Sequence, residues 1–233
     1  MAECHSEING FECEKSVGTE RNIMYDTILF DLDGTLVNSA LGITEGVRYA
    51  LEKCNMEPLP YAIREKFIGP PIRQSFQKYC FVDEEKAEML LALYREYYGT
   101  QGLHESEAYP GIPELLQRLT DKGKELIVAT AKPTKYSNII LEELGIASFF
   151  REIIGAGFDK NFETKDKIIR LAKSMAKHEK IIMVGDTFFD VEGARVNGIP
   201  AIGVLYGFGD HTELRKSKPL YIAETVEEIE AYI

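Results

Sequence analysis

Short, nearly unbroken apolar runs recur along the chain: Tyr25 to Phe30, Glu125 to Thr130, Phe150 to Gly155, Lys180 to Gly185 and Ile199 to Leu205. Runs this short suit strands buried on both faces, as in a parallel sheet. Between them, apolar residues fall at helical spacing over Ile112 to Lys122, Lys135 to Leu144, Lys165 to Lys177 and Asp190 to Asn197, with Gly123, Gly145 and Gly198 as stops. A last helix opens at Thr225, with Glu228 placed for a capping box. Alternating strands and helices predict a doubly wound, mainly parallel α/β domain.

One stretch breaks the alternation. Ser39 to Cys54, Tyr61 to Ile68, Ile72 to Tyr79 and Asp83 to Tyr98 all read as helices, with no strand among them. A small helical domain over residues 40–105, inserted into a core made of 24–39 and 106–233, is the simplest account. It leaves and rejoins the core near Ser39 and Ser106, above the carboxyl ends of the strands, where open α/β sheets bind ligands.

The chain has 233 residues, 45% hydrophobic and 28% charged, with a net charge of -11 and a pI near 5.0. That acidity argues against a nucleic-acid polymer as partner. No apolar run approaches the roughly 18 residues that span a bilayer, so no membrane association is expected. Residues 1–23 are polar, lack periodicity and predict a disordered tail, and Met24 offers an alternative start. The cysteines Cys4, Cys13, Cys54 and Cys80 and the histidines His5, His104, His178 and His211 show no metal-ligand spacing. Reduced thiols, a cytoplasmic location and a monomer or homodimer are the expectations.

Against that background "ILFDLDGTLVNS", Ile28 to Ser39, stands out: a buried run ends in two aspartates. Residues i and i+2 of an extended segment point the same way, so Asp31 and Asp33 face one site. "VGDTFFD" sets Asp186 and Asp190 just past another buried run. If the two strands are neighbours, three or four carboxylates converge, and such a cluster repels itself without a cation. All-oxygen ligands at this density suit Mg2+. Thr130 ends "VAT" with a hydroxyl and amides for phosphate oxygens. "TKDK" puts Lys165, or its rival Lys167, at a helix N-terminus.

These four segments, in this order, resemble the haloacid dehalogenase-like hydrolases from Met24 to Ile233. "DLDGTL" is similar to the family's first motif, Thr130 to the second, Lys165 to the third and "GDTFFD" to the fourth. "TKDK" departs from the Lys-Pro often found in the third. "FIGPPIRQSF" and "YGFGDHTEL" are similar to the phosphoglycolate phosphatase-like branch with a helical cap. The resemblance implies a Rossmann-like core and Mg2+-dependent hydrolysis of a small phosphorylated metabolite, phosphoglycolate or a nucleoside 5′-monophosphate, through an aspartyl-phosphate. It implies Asp31 as nucleophile, Asp33 as acid and then base, and Thr130, Lys165 and Asp190 as further catalytic residues. For Asp33 to act first as acid it must start protonated, with its charged neighbours helping. Metal ligands would be Asp31, the Asp33 backbone carbonyl and Asp186. Phosphate contacts fall on Leu32, Gly34, Thr130, Ala131 and Lys165, and Arg73 beside the Gly69-Pro70-Pro71 turn would read the leaving group.

Other readings stay open. A phosphomutase or a non-catalytic binding protein can share this fold; Asp33 argues against a dehalogenase and a phosphonatase. Asp190 reads either as a partner of Lys165 or a metal-bound water, or as a plain N-cap. Lys132 reads as solvent-exposed, Phe188 and Phe189 as core or cap contacts, and Tyr94, Tyr97 and Tyr98 as cap packing.

Overall fold

The computed structural model describes residues 25–157 and 164–233; the tail expected over residues 1–23 lies outside them. Strand β1 (Thr27–Phe30) is buried at every position. A tight loop follows, in which the Leu32 carbonyl accepts from the amides of Leu36 and Val37, and leads into the short β2 (Val37–Asn38). Helices α1 (Ala40–Lys53), α2 (Tyr61–Arg64), α3 (Ile72–Cys80) and α4 (Glu84–Tyr98) come next. The chain returns through β3 (Glu107–Ala108), which pairs antiparallel with β2. The outgoing and returning strands are thus tied together at residues 37–38 and 107–108.

The rest alternates: α5 (Ile112–Asp121), β4 (Glu125–Pro133), α6 (Thr134–Glu143), β5 (Glu152–Ala156), α7 (Lys165–Met175), β6 (Ile181–Gly185), α8 (Phe188–Val196), β7 (Ala201–Val204), α9 (His211–Lys216), β8 (Tyr221–Ala223) and α10 (Val226–Glu230). The sheet runs β5-β4-β1-β6-β7-β8, and each neighbouring pair is parallel. β1, carrying the two aspartates at its end, lies between β4 and β6, so the elements bearing the other motifs flank it.

Side chains alternate across the sheet as the pleat requires. Ile28 and Phe30 of β1, Leu126 and Val128 of β4 and Ile182 and Val184 of β6 join α5, α6, α10 and the helical insert in one core. Leu29, Ile127, Ala129, Ile181 and Met183 face α7, α8 and α9 in a second. Helices on both faces make the fold doubly wound. At the sheet end away from the carboxylates, buried Glu125 accepts from the Thr27 hydroxyl at 2.6 Å, Arg151 Nη1 at 2.8 Å and the Lys177 amide at 2.9 Å.

Several local expectations are corrected. β4 runs to Pro133, past the anticipated end at Thr130, with a register shift between those residues. β8 and α9 were not anticipated; three and six residues are too short for periodicity to register. The segment Tyr61 to Ile68 divides into α2 and a 3-10 turn at Glu65–Phe67. At α10 the Thr225 side chain makes no capping bond, and Glu228 accepts from the amide of Glu224, one residue earlier than a capping box requires, at 2.7 Å. Phe188 and Phe189 are half-exposed and pack on each other, 3.9 Å between ring centroids, because α8 buries its opposite side through Val191 and Ala194. Tyr94 and Tyr98 do pack inside, stacked at 5.3 Å.

Glu125 carries a pH dependence. Burial alone would push its pKa up, but the hydrogen bonds from Thr27, Lys177 and Arg151 hold it below the ordinary value. Its stabilisation is therefore complete above the unfolded pKa of about 4.3 and is lost as pH falls through the lower folded value. Glu125→Gln is expected to cost about 1–3 kcal/mol near neutral pH. Thermal melts from neutral to strongly acidic buffer should show its gap to the wild type closing. A gap independent of pH would contradict this role.

Candidate active site

The Asp31 amide donates to the Val184 carbonyl at 2.9 Å, extending the β1–β6 pairing by one residue. Its carboxylate meets Lys165 Nζ at 2.6 Å. Lys165 opens α7, and the same ammonium lies 2.7 Å from Asp190 Oδ1. Lys167 is exposed, so of the two lysines it is Lys165 that meets the carboxylates. Asp190 is not an N-cap. That place belongs to Thr187, and Asp190 completes a capping box three residues on, its Oδ2 accepting from the Thr187 amide at 3.0 Å and hydroxyl at 2.7 Å.

Asp186, just past β6, is almost wholly buried. Its Oδ2 accepts from the amides of Phe208 at 2.8 Å and Gly209 at 3.1 Å. Among the described residues its Oδ1 has no partner. Gly34 makes room for this carboxylate: its φ is +85°, and a Cβ there would sit 2.1 Å from Asp186 Oδ2. The "DG" of the first segment thus serves the fourth, which spacing along the chain does not reveal.

The electrostatics are unbalanced. Burial pushes the Asp31 carboxyl up to about 6, against the pull of Lys165. Burial, Asp190 and Asp31 together hold Asp186 well above the carboxylate range. Burial would lower the Lys165 pKa, but Asp190 and Asp31 outweigh it and hold the ammonium above its ordinary value. Asp31, Asp186 and Asp190 bring ligand atoms within 4.8 Å of one another. Among the described residues one ammonium, Lys165, meets two of these three carboxylates, and the orphan oxygen on Asp186 marks where positive charge is lacking. A hard divalent cation with oxygen ligands fits that place.

Asp33 is not part of this cluster. Lys132 Nζ contacts both of its carboxylate oxygens, at 2.7 and 2.8 Å. Any share of Asp33 in holding a cation therefore falls to its main-chain carbonyl. Lys132 was expected in solvent, and that is corrected: its side chain is 5% exposed. The charged group in contact with the Asp33 carboxylate is thus the Lys132 ammonium. Thr130 is buried, its hydroxyl accepting from the Lys132 amide at 3.2 Å. The Leu32 amide donates to no group among the described residues, whereas the Gly34 amide is already bonded to the Val37 carbonyl at 2.9 Å. Gly34 is accordingly a turn residue and not a phosphate donor.

A cavity of about 430 Å³ separates the insert from the core, lined by Asp33, Phe67, Ala131, Lys132, Tyr98 and Arg73 among others. The structure puts Arg73 on this wall but pairs its Nη1 with Glu84 at 2.9 Å and Glu88 at 3.1 Å. As a reader of a second anion it is corrected, because two carboxylates of α4 already neutralise it.

A parallel sheet whose central strand ends in a buried carboxylate, with a lysine and two further buried carboxylates brought to it from α7, β6 and α8, gathers these groups at one sheet edge. The family profile of haloacid dehalogenase-like hydrolases matches residues 28–204. A 5′-nucleotidase from Pseudomonas aeruginosa is 38% identical over 201 residues, 85% of this chain and 91% of that protein. A phosphoglycolate phosphatase from Caulobacter vibrioides is 29% identical over 189 residues, covering 78% and 80%. A crystal structure described as a predicted phosphatase from Clostridium acetobutylicum superposes with a TM-score of 0.84 at 42% identity, covering 89% of this chain and 97% of that one. The chain belongs to the haloacid dehalogenase-like hydrolase family, in which it is a phosphatase.

The charge imbalance has a measurable sign. A carboxyl whose folded pKa is raised contributes stability that is present below its unfolded pKa, about 3.9, and is lost as pH rises through the folded value. In chelator the wild type should therefore lose stability from about pH 4 upward, and Asp186→Asn should melt higher than the wild type at neutral pH. Millimolar Mg2+ should raise the wild-type Tm and leave that of Asp186→Asn nearly unmoved. Equal Mg2+ shifts in both proteins would remove Asp186 from the cation site.

Proposed function

We propose that the protein hydrolyses nucleoside 5′-monophosphates to nucleoside and phosphate, through an aspartyl-phosphate on Asp31 and with Mg2+. The observation that carries this reading is the Asp31 carboxylate at the end of β1, 2.6 Å from a buried ammonium and beside the unpartnered oxygen of Asp186. A carboxylate held at about 6 is still mostly ionised at neutral pH and needs no base to activate it.

Asp31 attacks phosphorus and displaces the ester oxygen. Lys165, the Thr130 hydroxyl and the free Leu32 amide hold the phosphate oxygens as charge spreads over them. Asp190 fixes where the Lys165 ammonium sits. Asp33 gives a proton to the departing oxygen, then takes one from the water that attacks phosphorus and releases Asp31. Asp31, Asp186 and the Asp33 carbonyl would hold Mg2+, whose positive charge would offset the repulsion between carboxylate and phosphate. Residues 40–105 act as a cap over these groups, leaving room for the ester's remainder.

Three things support a nucleoside as that remainder. The relative 38% identical is named a 5′-nucleotidase. The cavity of about 430 Å³ falls in the range of roughly 300–1,000 Å³ that encloses a drug-sized ligand and is roomy for a two-carbon acid. Arg73 and Lys132, which could meet a carboxylate, both have carboxylate partners already.

Phosphate release from a panel of phosphomonoesters tests the reading. Nucleoside 5′-monophosphates should exceed phosphoglycolate in kcat/KM by about tenfold or more, and excess chelator should abolish turnover. Phosphoglycolate as the better substrate would overturn the nucleotide assignment. Asp31→Asn should fold and lose turnover with every ester. Arg73→Ala, which breaks only partly exposed ion pairs, should change nucleotide kinetics by no more than a few fold.

A further inference from the structure

Lys132 touches two things at once. Its ammonium holds both oxygens of Asp33 and lies 4.9 Å from the centroid of the Tyr98 ring, within cation–π range of about 6 Å. Asp33 belongs to the core loop after β1, whereas Tyr98 is the last residue of α4, in the insert. Tyr98 is itself fixed from both sides: stacked on Tyr94 at 5.3 Å and met edge-on by Tyr136 of α6 at 5.6 Å.

The backbone is built to hold the lysine there. The register shift in β4 falls between Thr130 and Pro133, and the Lys132 amide is tied to the Thr130 hydroxyl. On β5, Gly155 leaves the space this bulge needs, since a Cβ there would come within 2.3 Å of the Lys132 carbonyl oxygen. A buried ammonium on a constrained bulge, shared between an acidic core side chain and an aromatic ring of the insert, is more than a solvated surface charge.

We propose that Lys132 is a positioning residue for Asp33, and that Tyr98 locates it, so that docking of the helical insert sets where the Asp33 carboxyl points. This rests on the role given to Asp33 above. Lys132 acts through Asp33 and does not touch the substrate. With the insert displaced, the ring leaves, the ammonium loses one of its two anchors and the Asp33 side chain is free to turn away. An acid–base group displaced by about 1 Å can lose ~10²-fold in rate, so the coupling confines turnover to the closed arrangement.

Lys132→Met, similar in length and uncharged, should lower kcat for a nucleoside 5′-monophosphate by about 10²-fold and leave KM within a few fold. Lys132→Arg, whose fork can bond both carboxylate oxygens and lie on a ring, should restore most of kcat. Tyr98→Leu should lower kcat less than Lys132→Met, and the double variant should be no slower than Lys132→Met alone, since both changes break one chain of contacts. A raised KM at unchanged kcat would make Lys132 a substrate contact and overturn the proposal. So would multiplicative losses in the double variant, or an arginine variant no better than methionine. Folding is checked by Mg2+-dependent thermal shift, and if Lys132→Met is unstable, Lys132→Gln takes its place. Asp33→Asn run in parallel separates the two claims: unimpaired turnover there would remove the role of Asp33 itself, whatever Lys132 does.

Discussion

Three carboxylates buried within 4.8 Å of one another, with the Lys165 ammonium as the cation that meets them among the described residues, are the constraint on which the rest of the site depends. Each is costly to desolvate, and Lys165 reaches two of them but not Asp186. The surrounding chain is shaped by that deficit. Gly34, Gly207 and Gly209 all lie where a Cβ would strike Asp186 or its immediate neighbours, so main chain can close on the carboxylate, and two amides of the 206–210 loop point at its Oδ2. Gly185 does the same for Asp190, where a Cβ would come 2.2 Å from its carboxyl carbon. A bound cation would offset that deficit, and by binding only the folded chain it would also stabilise it.

The sheet supplies the convergence. With β1 between β4 and β6, groups far apart in the chain meet at one edge. The helical insert departs from and returns to the same short β2–β3 pair, so its covalent routes to the core lie beside the loop that follows β1 and carries Asp31 and Asp33. The contact between Lys132 and Tyr98 gives the insert a direct route to the chemistry that does not pass through the substrate.

Much of this was legible in the sequence because it is carried by strong local signals. The buried runs of β1 and β6 and the acids directly behind them define the strand ends, which the sheet brings together as the cluster of Asp31, Asp186 and Asp190. The helix between Ser39 and Cys54 and its successors were visible from period alone. What escaped were features decided by contacts distant in sequence or by elements too short to show periodicity. Lys132 was misread because β4 was taken to stop at Thr130; the strand runs on through an irregularity to Pro133 and carries Lys132 to the Asp33 carboxylate. The Thr225–Glu228 spacing suggested a capping box, yet the glutamate bonds the Glu224 amide instead. Arg73 lies on the cavity wall as expected, but no pattern within "GPPIRQSF" foretells that Glu84 and Glu88 across the helix pair will occupy it. The role of Gly34 as a neighbour of Asp186 could not be read from a motif that looks like an ordinary Asp-Gly turn.

The central claim is covalent: the phosphoryl group passes through Asp31. Quenching the enzyme with acid during turnover of a nucleoside 5′-monophosphate in Mg2+, followed by peptide mass spectrometry, measures this directly. One phosphoryl group on the peptide spanning Asp31, lost on treatment with hydroxylamine and absent from Asp31→Asn, is the expected result. Turnover with no phosphoenzyme at any quench time, even under conditions where release of nucleoside outruns release of phosphate, or a phosphoryl group on another residue, would contradict it.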